Sequence, residues 1–150
     1  MSGLLKNIDP DGLLEYSVVY TDRSLNHMSQ SFQQVMNDIF STLKKIYCAT
    51  AVVVVPGGGT FSMESVARQF GSGKKCLVIR NGWFSYRWTQ IFETGDIPSE
   101  SIVLKARPVD ESQHPAFAPT PIEEVVTTIQ TEQPDVVFAP HVETSSGIIL

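Results

Sequence analysis

The stretch with the clearest chemical potential is a run of glycines, Gly57-Gly58-Gly59, set between an apolar run and an amphipathic pattern. The preceding valines at positions 52–55 leave no polar face for water, which is typical of a strand covered on both sides. Pro56 cannot donate to a ladder, so it ends that strand. The glycines then allow a positive φ or the close approach of a ligand.

A helix is predicted to follow this turn and to present free backbone N–H groups to it. Thr60 or Ser62 is a candidate N-cap, and Glu64 would suit the positive end of the helix dipole. Such an end is a seat for a phosphate or a carboxylate. The segment matches neither G-x-G-x-x-G nor G-x-x-x-x-G-K-[ST], which argues against a dinucleotide fold and a P-loop. Taken alone, it is equally compatible with a tight turn that binds nothing.

Two further groups of polar and aromatic residues follow predicted strands. The first is Asn81-Gly82 with Trp83 and Phe84, which open an aromatic-rich helix, and the second runs from His141 to Gly147. Open α/β sheets bind ligands at the carboxyl ends of their strands, so Trp83 and Phe84 are candidates for ligand contact. Trp88 and Phe92 are spaced i and i+4 and are predicted to belong to the core.

His141 and Glu143 suggest general acid–base chemistry, but their flanks predict a tight loop. Polar side chains in such loops commonly satisfy backbone groups, and we assign that role to both. Ser145 or Ser146 is predicted to cap a helix after the strand. The remaining histidines, His27 and His114, have no partner at a recognisable spacing, so surface or structural roles are predicted for them.

The elements that position these groups alternate along the chain. Helices are predicted from Ser29 to about Tyr47, from the glycines to about Phe70, over 83–92 and over 121–131, and strands over 52–55, 76–79, 102–104 and 135–139. This order predicts an α/β fold with a mostly parallel sheet covered by helices on both faces. Residues 108–120 are predicted to form a loop. The carboxyl ends of three of these strands, at residues 56–60, 80–84 and 140–146, would then lie on one rim of the sheet.

The composition limits the class of protein. A chain of 150 residues with 42% hydrophobic and 18% charged content can form one soluble domain. A net charge of −5 argues against a nucleic-acid surface. Cys48 and Cys76 lack metal spacing and are predicted to be free, buried thiols in a reducing compartment. Without a signal-like start or a long apolar run, we expect a cytoplasmic protein.

The three motifs, in this order and spacing, resemble the class V aminotransferases, which are fold-type I pyridoxal-phosphate enzymes. The alanine- and serine-glyoxylate aminotransferases look nearest, and the resemblance runs from about Ser24 to the end. It implies that Gly58, Gly59 and Thr60 hold the phosphate of pyridoxal 5'-phosphate. It further implies that Phe84, or in an alternative register Trp83, stacks on the pyridine ring, and that Thr144 hydrogen-bonds near the phenolic oxygen of the cofactor.

The same resemblance implies amino-acid and 2-oxo-acid substrates and a homodimer. In this family the cofactor-binding lysine and the substrate-carboxylate arginine come later than the third motif, so no catalytic residue is assigned here and the lysine is expected beyond residue 150. From the homodimer that the resemblance implies, we expect residues 1–28 to be an arm that packs on a second copy. Residues 29–150 would be the amino-terminal part of the large domain, with the small domain absent from this chain.

Two alternative functions stay open at this point. One is another fold-type I pyridoxal-phosphate reaction, such as a desulfurase or a lyase. The other is a non-catalytic α/β module that binds a phosphorylated ligand.

Overall fold

The computed structural model describes residues 30–150, so the predicted arm at 1–28 and the helix start at Ser29 lie outside the described residues. The chain divides into two compact units, one ending at Val54 and the other beginning at Val55.

The described part of the first unit is dominated by one helix, α1 (Gln30–Tyr47). Its carboxyl end falls where the apolar periodicity predicts, and Lys44 and Lys45 lie in the last turn, where positive charge suits the dipole. Cys48 follows with a φ of 49°, the left-handed conformation that commonly ends a helix. The expectation that Cys48 is buried is wrong, because this residue lies directly after the end of α1 and is exposed. Both described cysteines are free, and Cys76 is buried as predicted.

The strand predicted over residues 52–55 does not form, although the four valines have a high strand propensity. The backbone there has no regular structure, and Val53 and Val54 are 80% and 51% exposed. A strand needs a neighbour that accepts and donates its backbone hydrogen bonds and covers its side chains. Within residues 30–150 no segment pairs with these valines. Local propensity therefore does not suffice here.

The second unit contains the predicted parallel sheet, with three of its four strands. These are β1 (Lys75–Arg80), β2 (Glu100–Lys105) and β5 (Val136–Phe138), in the order β2-β1-β5. Both pairings are parallel, with Arg80 beside Lys105 and Cys76 beside Val136. The chain thus moves from β1 to β2 and then returns past β1 to β5. Right-handed crossovers in opposite directions place the two connecting helices on opposite faces of the sheet.

Three helices and two short hairpins complete this unit. The helices are α2 (Gly59–Gly71), α3 (Trp83–Gly95), which connects β1 to β2, and α4 (Ile122–Glu132), which connects β2 to β5. The hairpins are β3 (Arg107–Pro108) with β4 (Phe117–Ala118), and β6 (Val142–Glu143) with β7 (Ile148–Ile149). The predicted loop at 108–120 therefore includes most of the first hairpin. The N-cap of α4 is Pro121, and Glu123 and Glu124 lie in its first turn.

The core lies between β1, β5 and the helices α2 and α3. Phe138 is 5% exposed, and its ring centroid lies 4.7 Å from that of Trp88 and 5.0 Å from that of Phe92. Cys76 and Val78 of β1 belong to the same cluster, whereas Leu77 is buried on the other face of the sheet. The core assignment of Trp88 and Phe92 is confirmed. Among residues 30–150, no helix is long and apolar enough to cross a membrane.

Truncating Phe138 should test this core. Phe138→Ala removes a ring that two aromatic neighbours enclose, so we expect a loss of about 3–5 kcal/mol in the free energy of unfolding, measured by urea denaturation. Phe117→Ala is the matched control, because Phe117 is 48% exposed and the same truncation should cost far less. Equal losses for the two variants would contradict the assignment of Phe138 to the core.

Candidate functional site

Two of the three sequence motifs meet at the carboxyl edge of the sheet. Because β1 and β5 are neighbours, the segments that follow them, 81–85 and 141–147, are adjacent. The Ser146 hydroxyl donates to the backbone oxygen of Asn81 at 2.8 Å, which joins the two segments directly. The adjacency of β1 and β5 in the sheet is the reason for this meeting.

The centre of the junction is the fully buried carboxylate of Glu143. Its Oε1 accepts the backbone N–H of Phe84 at 3.1 Å and the hydroxyl of Ser145. Its Oε2 accepts the backbone N–H of Ser85 at 2.8 Å and the Ser85 hydroxyl at 2.6 Å. A negative charge thus occupies the amino terminus of α3, where the free N–H groups and the helix dipole favour it. The prediction that Glu143 satisfies backbone groups is confirmed.

Two serines complete the cap of α3. The Ser145 hydroxyl accepts the backbone N–H of Trp83 at 2.8 Å, and the Ser85 hydroxyl accepts those of Asn81 and Gly82 at 2.8 and 3.0 Å. The expected helix after β5 is absent, because the turn at 144–147 leads into β7 instead. Ser145 therefore caps a helix that lies 62 positions earlier in the chain, not one that follows it.

Gly82 is needed for this close approach. A Cβ built on Gly82 would lie 2.4 Å from the Ser145 hydroxyl and 2.8 Å from Cγ of Glu143. Its φ of 175° is extended backbone, so contact with these side chains, rather than backbone strain, excludes a larger residue.

The hydrogen bonds to Glu143 decide its charge state. Burial raises the pKa of this carboxyl, but the bonds from Ser145, from the Ser85 hydroxyl and from the backbone N–H groups of Ser85 and Phe84 outweigh burial. Together they lower the pKa from its ordinary value of 4.5 to about 2. Glu143 is therefore a carboxylate throughout the physiological pH range and is unsuited to act as a general base near neutral pH.

The amino terminus of α2 differs from that of α3 because no side chain of the part of the chain that the structure describes caps it. Its N-cap is Gly58, not Thr60 or Ser62 as predicted, and no acidic residue lies in its first turn. Glu64 lies further along the helix and pairs with Arg68 at 2.8 Å. The sequence prediction failed here because the helix begins earlier, at Gly59 directly after the turn.

The three glycines at this turn do different things. Gly57 has a φ of 129°, and a Cβ there would lie 2.5 Å from the Phe61 ring, so Gly57 makes the turn. At Gly58 and Gly59 a Cβ would meet no atom within 4 Å. These two glycines face open space, and neither has a positive φ. The backbone beside them is accessible to a ligand.

The helices α2 and α3 start at the same side of the sheet. The backbone N–H of Gly73, just after α2, donates to the oxygen of Ile97, just after α3, at 2.8 Å. A Cβ on Gly95 would lie 3.4 Å from the Arg68 guanidinium, which also places the carboxyl ends of the two helices together. Since α2 and α3 pack against each other, their amino termini face the same edge.

The predicted site residues are distributed over this edge. Phe84 and Trp83 are 57% and 58% exposed, which separates them from the buried rings of the same helix. The Trp83 ring lies 5.8 Å from that of Tyr86, whereas no ring of the described residues stacks on Phe84. Thr144 is exposed in the turn between β6 and β7. Residues 58–60 share the edge with the other two motifs without a hydrogen bond to them among residues 30–150.

Two polar residues that matter here were missed by the sequence analysis. Ser85 ties the start of α3 to Glu143, and its position three residues after Gly82 is a signal for such capping. Asn81 is 3% exposed, and neither atom of its side-chain amide has a partner in the described part of the chain. No spacing in the sequence predicts that burial.

Replacing Glu143 by glutamine should change the dependence of stability on pH. The folded-state pKa lies below the unfolded value, so the charge of Glu143 stabilises the fold above pH 4.5, and this contribution disappears as the pH falls towards 2. We expect Glu143→Gln to lose about 3 kcal/mol at pH 7 and to converge on the wild type near pH 2, by urea denaturation across pH. Glu93→Gln, on the exposed side of α3, is the control. A constant difference at every pH would contradict this role.

Comparison with known proteins agrees with the resemblance found in the three motifs. No family model matches the chain. The chain is 27% identical over 128 residues to an L-aspartate–glyoxylate aminotransferase of Paracoccus denitrificans, and the match covers 83% of this chain and 31% of that protein. It thus spans about a third of the length of this curated relative.

Two solved structures superpose on most of the chain. A ureidoglycine–glyoxylate aminotransferase from Bacillus subtilis matches 84% of it with a TM-score of 0.63 and 19% identity, over 31% of that chain. An alanine–glyoxylate aminotransferase from Nostoc sp. matches 83% with a TM-score of 0.62 and 22% identity, also over 31% of that chain. At this identity the superpositions establish the fold. The chain therefore has the α/β fold of about a third of a fold-type I aminotransferase, and its sequence is similar to that of the glyoxylate aminotransferases.

Proposed function

We propose that this chain forms the phosphate-binding and ring-stacking part of a pyridoxal-phosphate-dependent aminotransferase. The enzyme would transfer an amino group from an amino acid to glyoxylate or a related 2-oxo acid. One observation carries the proposal: two helix amino termini face one edge of the sheet, and among the described residues a carboxylate occupies that of α3 but none occupies that of α2. The amino terminus of α2 is left for an anion from outside.

The residues at α2 fit a phosphate group. The first backbone N–H groups of a helix lack a partner in its i to i−4 hydrogen-bond ladder. Here the N–H of Phe61 donates to the Gly58 oxygen at 2.9 Å, and no side chain of residues 30–150 caps those of Gly59 and Thr60. Gly58 and Gly59 leave the space beside this backbone open. Thr60 adds a hydroxyl in the first turn. Three small residues at an uncapped helix terminus form the seat expected for a doubly charged phosphate.

The residues on the neighbouring loops fit the ring of the cofactor. Phe84 has an exposed ring that no aromatic ring of residues 30–150 contacts, and its backbone N–H is bound by Glu143. Thr144, next to Glu143, is an exposed hydroxyl. In this proposal Phe84 stacks on the pyridine ring, Thr144 hydrogen-bonds near the phenolic oxygen, and Glu143 holds both in position. When bound, pyridoxal phosphate supplies the electron sink that transamination requires.

Further proposals concern the complete protein. The names of the relatives support glyoxylate as the acceptor class. From the family resemblance we also propose a homodimer in the cytoplasm, in which residues 1–28 pack against the second copy. The domain boundary at residue 29 belongs to the same proposal.

An activity assay on the complete protein tests the function. Glyoxylate and a panel of amino acids, aspartate and alanine first, should yield glycine and the 2-oxo acid of the donor, and the yield should depend on added pyridoxal phosphate. Cofactor binding without glycine formation would favour the non-catalytic module. Release of sulfide from cysteine, or of ammonia without an acceptor, would favour a desulfurase or a lyase.

Adding a side chain at Gly59 should lower the affinity for pyridoxal phosphate more than truncating Ser62 does. The Cβ and methyl groups of Gly59→Val enter the open space where the phosphate is expected, whereas Ser62 does not cap the helix. We expect Gly59→Val to raise the Kd for pyridoxal phosphate at least tenfold, by equilibrium dialysis, and Ser62→Ala to change it less than threefold. The structure predicts little change in thermal stability for Gly59→Val, because no atom lies within 4 Å of its Cβ. Equal losses of affinity would count against this seat.

Removing the ring at position 84 tests the stacking surface. Phe84→Ala should weaken the binding free energy of pyridoxal phosphate by about 1 kcal/mol, which is the scale of an aromatic pair. It should also shift the absorbance of the bound cofactor. Trp83→Ala is the matched variant, because Trp83 is equally exposed but already packs against Tyr86. If only Trp83→Ala had these effects, the stacking residue would be Trp83.

A further inference from the structure

A cavity of about 700 Å³ opens where β1 and β2 end. Its wall consists of the ends of these strands, residues 115–117 of the first hairpin and residues 145–147 of the turn between β6 and β7. Although the protein carries a net charge of −5, no residue of the wall is acidic, and two of them, Arg80 and Lys105, are basic. The wall includes none of the residues proposed for the cofactor, which are Gly58, Gly59, Thr60, Phe84 and Thr144. The cavity is therefore a separate feature of the same edge.

The two basic side chains are held near each other by the sheet. Arg80 and Lys105 are direct partners in the parallel register of β1 and β2, so they leave the sheet on the same face. Adjacent strands lie about 4.8 Å apart, and like charges at such positions repel each other. Neither side chain pairs with a carboxylate of residues 30–150, in contrast to Arg107, which pairs with Glu124 at 2.6 Å. An anion between them would remove this repulsion.

The surroundings of Arg80 favour such an anion. Its guanidinium lies 4.9 Å from the centre of the Tyr86 ring, and stacking of this kind orients the group while its edge keeps free N–H donors. The wall of the cavity thus combines an oriented guanidinium and an ammonium group, and it contains no acidic residue.

We propose that this cavity binds a small dianion, with Arg80 and Lys105 as its charged contacts. The shared chemistry is two negative charges within the span of two adjacent strands, which either a dicarboxylate or a phosphate monoester provides. The inference does not depend on the proposed aminotransferase activity, because it uses other residues and another ligand position.

Protection of Arg80 from an arginine reagent tests the proposal residue by residue. The complete protein is treated with phenylglyoxal in the presence of succinate, inorganic phosphate or, at matched ionic strength, acetate, and modification is read by peptide mass spectrometry. We expect saturating succinate or phosphate to slow modification of Arg80 at least fivefold, with no such effect from acetate. Arg107 in the same samples is the internal control. Because the readout is at Arg80, phosphate bound at the amino terminus of α2 does not interfere.

A pair of lysine variants separates a site from general charge. Lys105→Gln should raise the anion concentration for half-protection of Arg80 about fivefold, whereas Lys74→Gln, the same charge change at an exposed residue outside the cavity, should not. Protection by succinate alone, by phosphate alone or by both supports a dicarboxylate, a phosphate or a general dianion site respectively. No protection, equal protection by acetate, equal effects of the two variants, or an Arg80 that never reacts would overturn the proposal.

Discussion

The arrangement of this edge of the sheet depends on one buried charge, the carboxylate of Glu143 at the amino terminus of α3. Two backbone N–H groups and two hydroxyls bind it, which compensates the loss of hydration that burial imposes. The carboxylate thereby joins the end of β5 to the start of the helix that follows β1. Together with the hydrogen bond from Ser146 to Asn81, it fixes the turn that carries Thr144 beside the first turn of α3, which carries Phe84.

The carboxylate of Glu143 also distinguishes the amino termini of α2 and α3, which are otherwise similar. Both α2 and α3 begin after a glycine and face the same edge, and both offer free N–H groups and a positive dipole end. The protein fills one terminus with Glu143 and Ser145, whereas no side chain of the described residues caps the other, whose N-cap is Gly58. The exposed ring of Phe84 lies at the filled terminus, where its backbone N–H is bound by Glu143.

Charge is also distributed unevenly over the edge. The protein is acidic as a whole, yet the wall beside Arg80 and Lys105 contains no carboxylate, and the one nearby, Glu143, is enclosed by its donors. Field lines in a cleft lined by one sign of charge are concentrated there, which favours small anions. The dianion site proposed for this cavity rests on that distribution of charge.

The sequence by itself determined the elements with a strong local signal. Periodicity predicted the helices α1 to α4, apolar runs predicted β1, β2 and β5, and their alternation predicted a mostly parallel sheet with three strand ends on one rim. The tertiary structure decided what depends on partners distant in the chain. The valines at 52–55 form no strand because no segment of residues 30–150 pairs with them, and Ser145 caps a helix 62 positions earlier because β1 and β5 are adjacent. The pairing of Arg80 with Lys105 and the burial of Asn81 likewise follow from strand register, which local residue patterns do not encode.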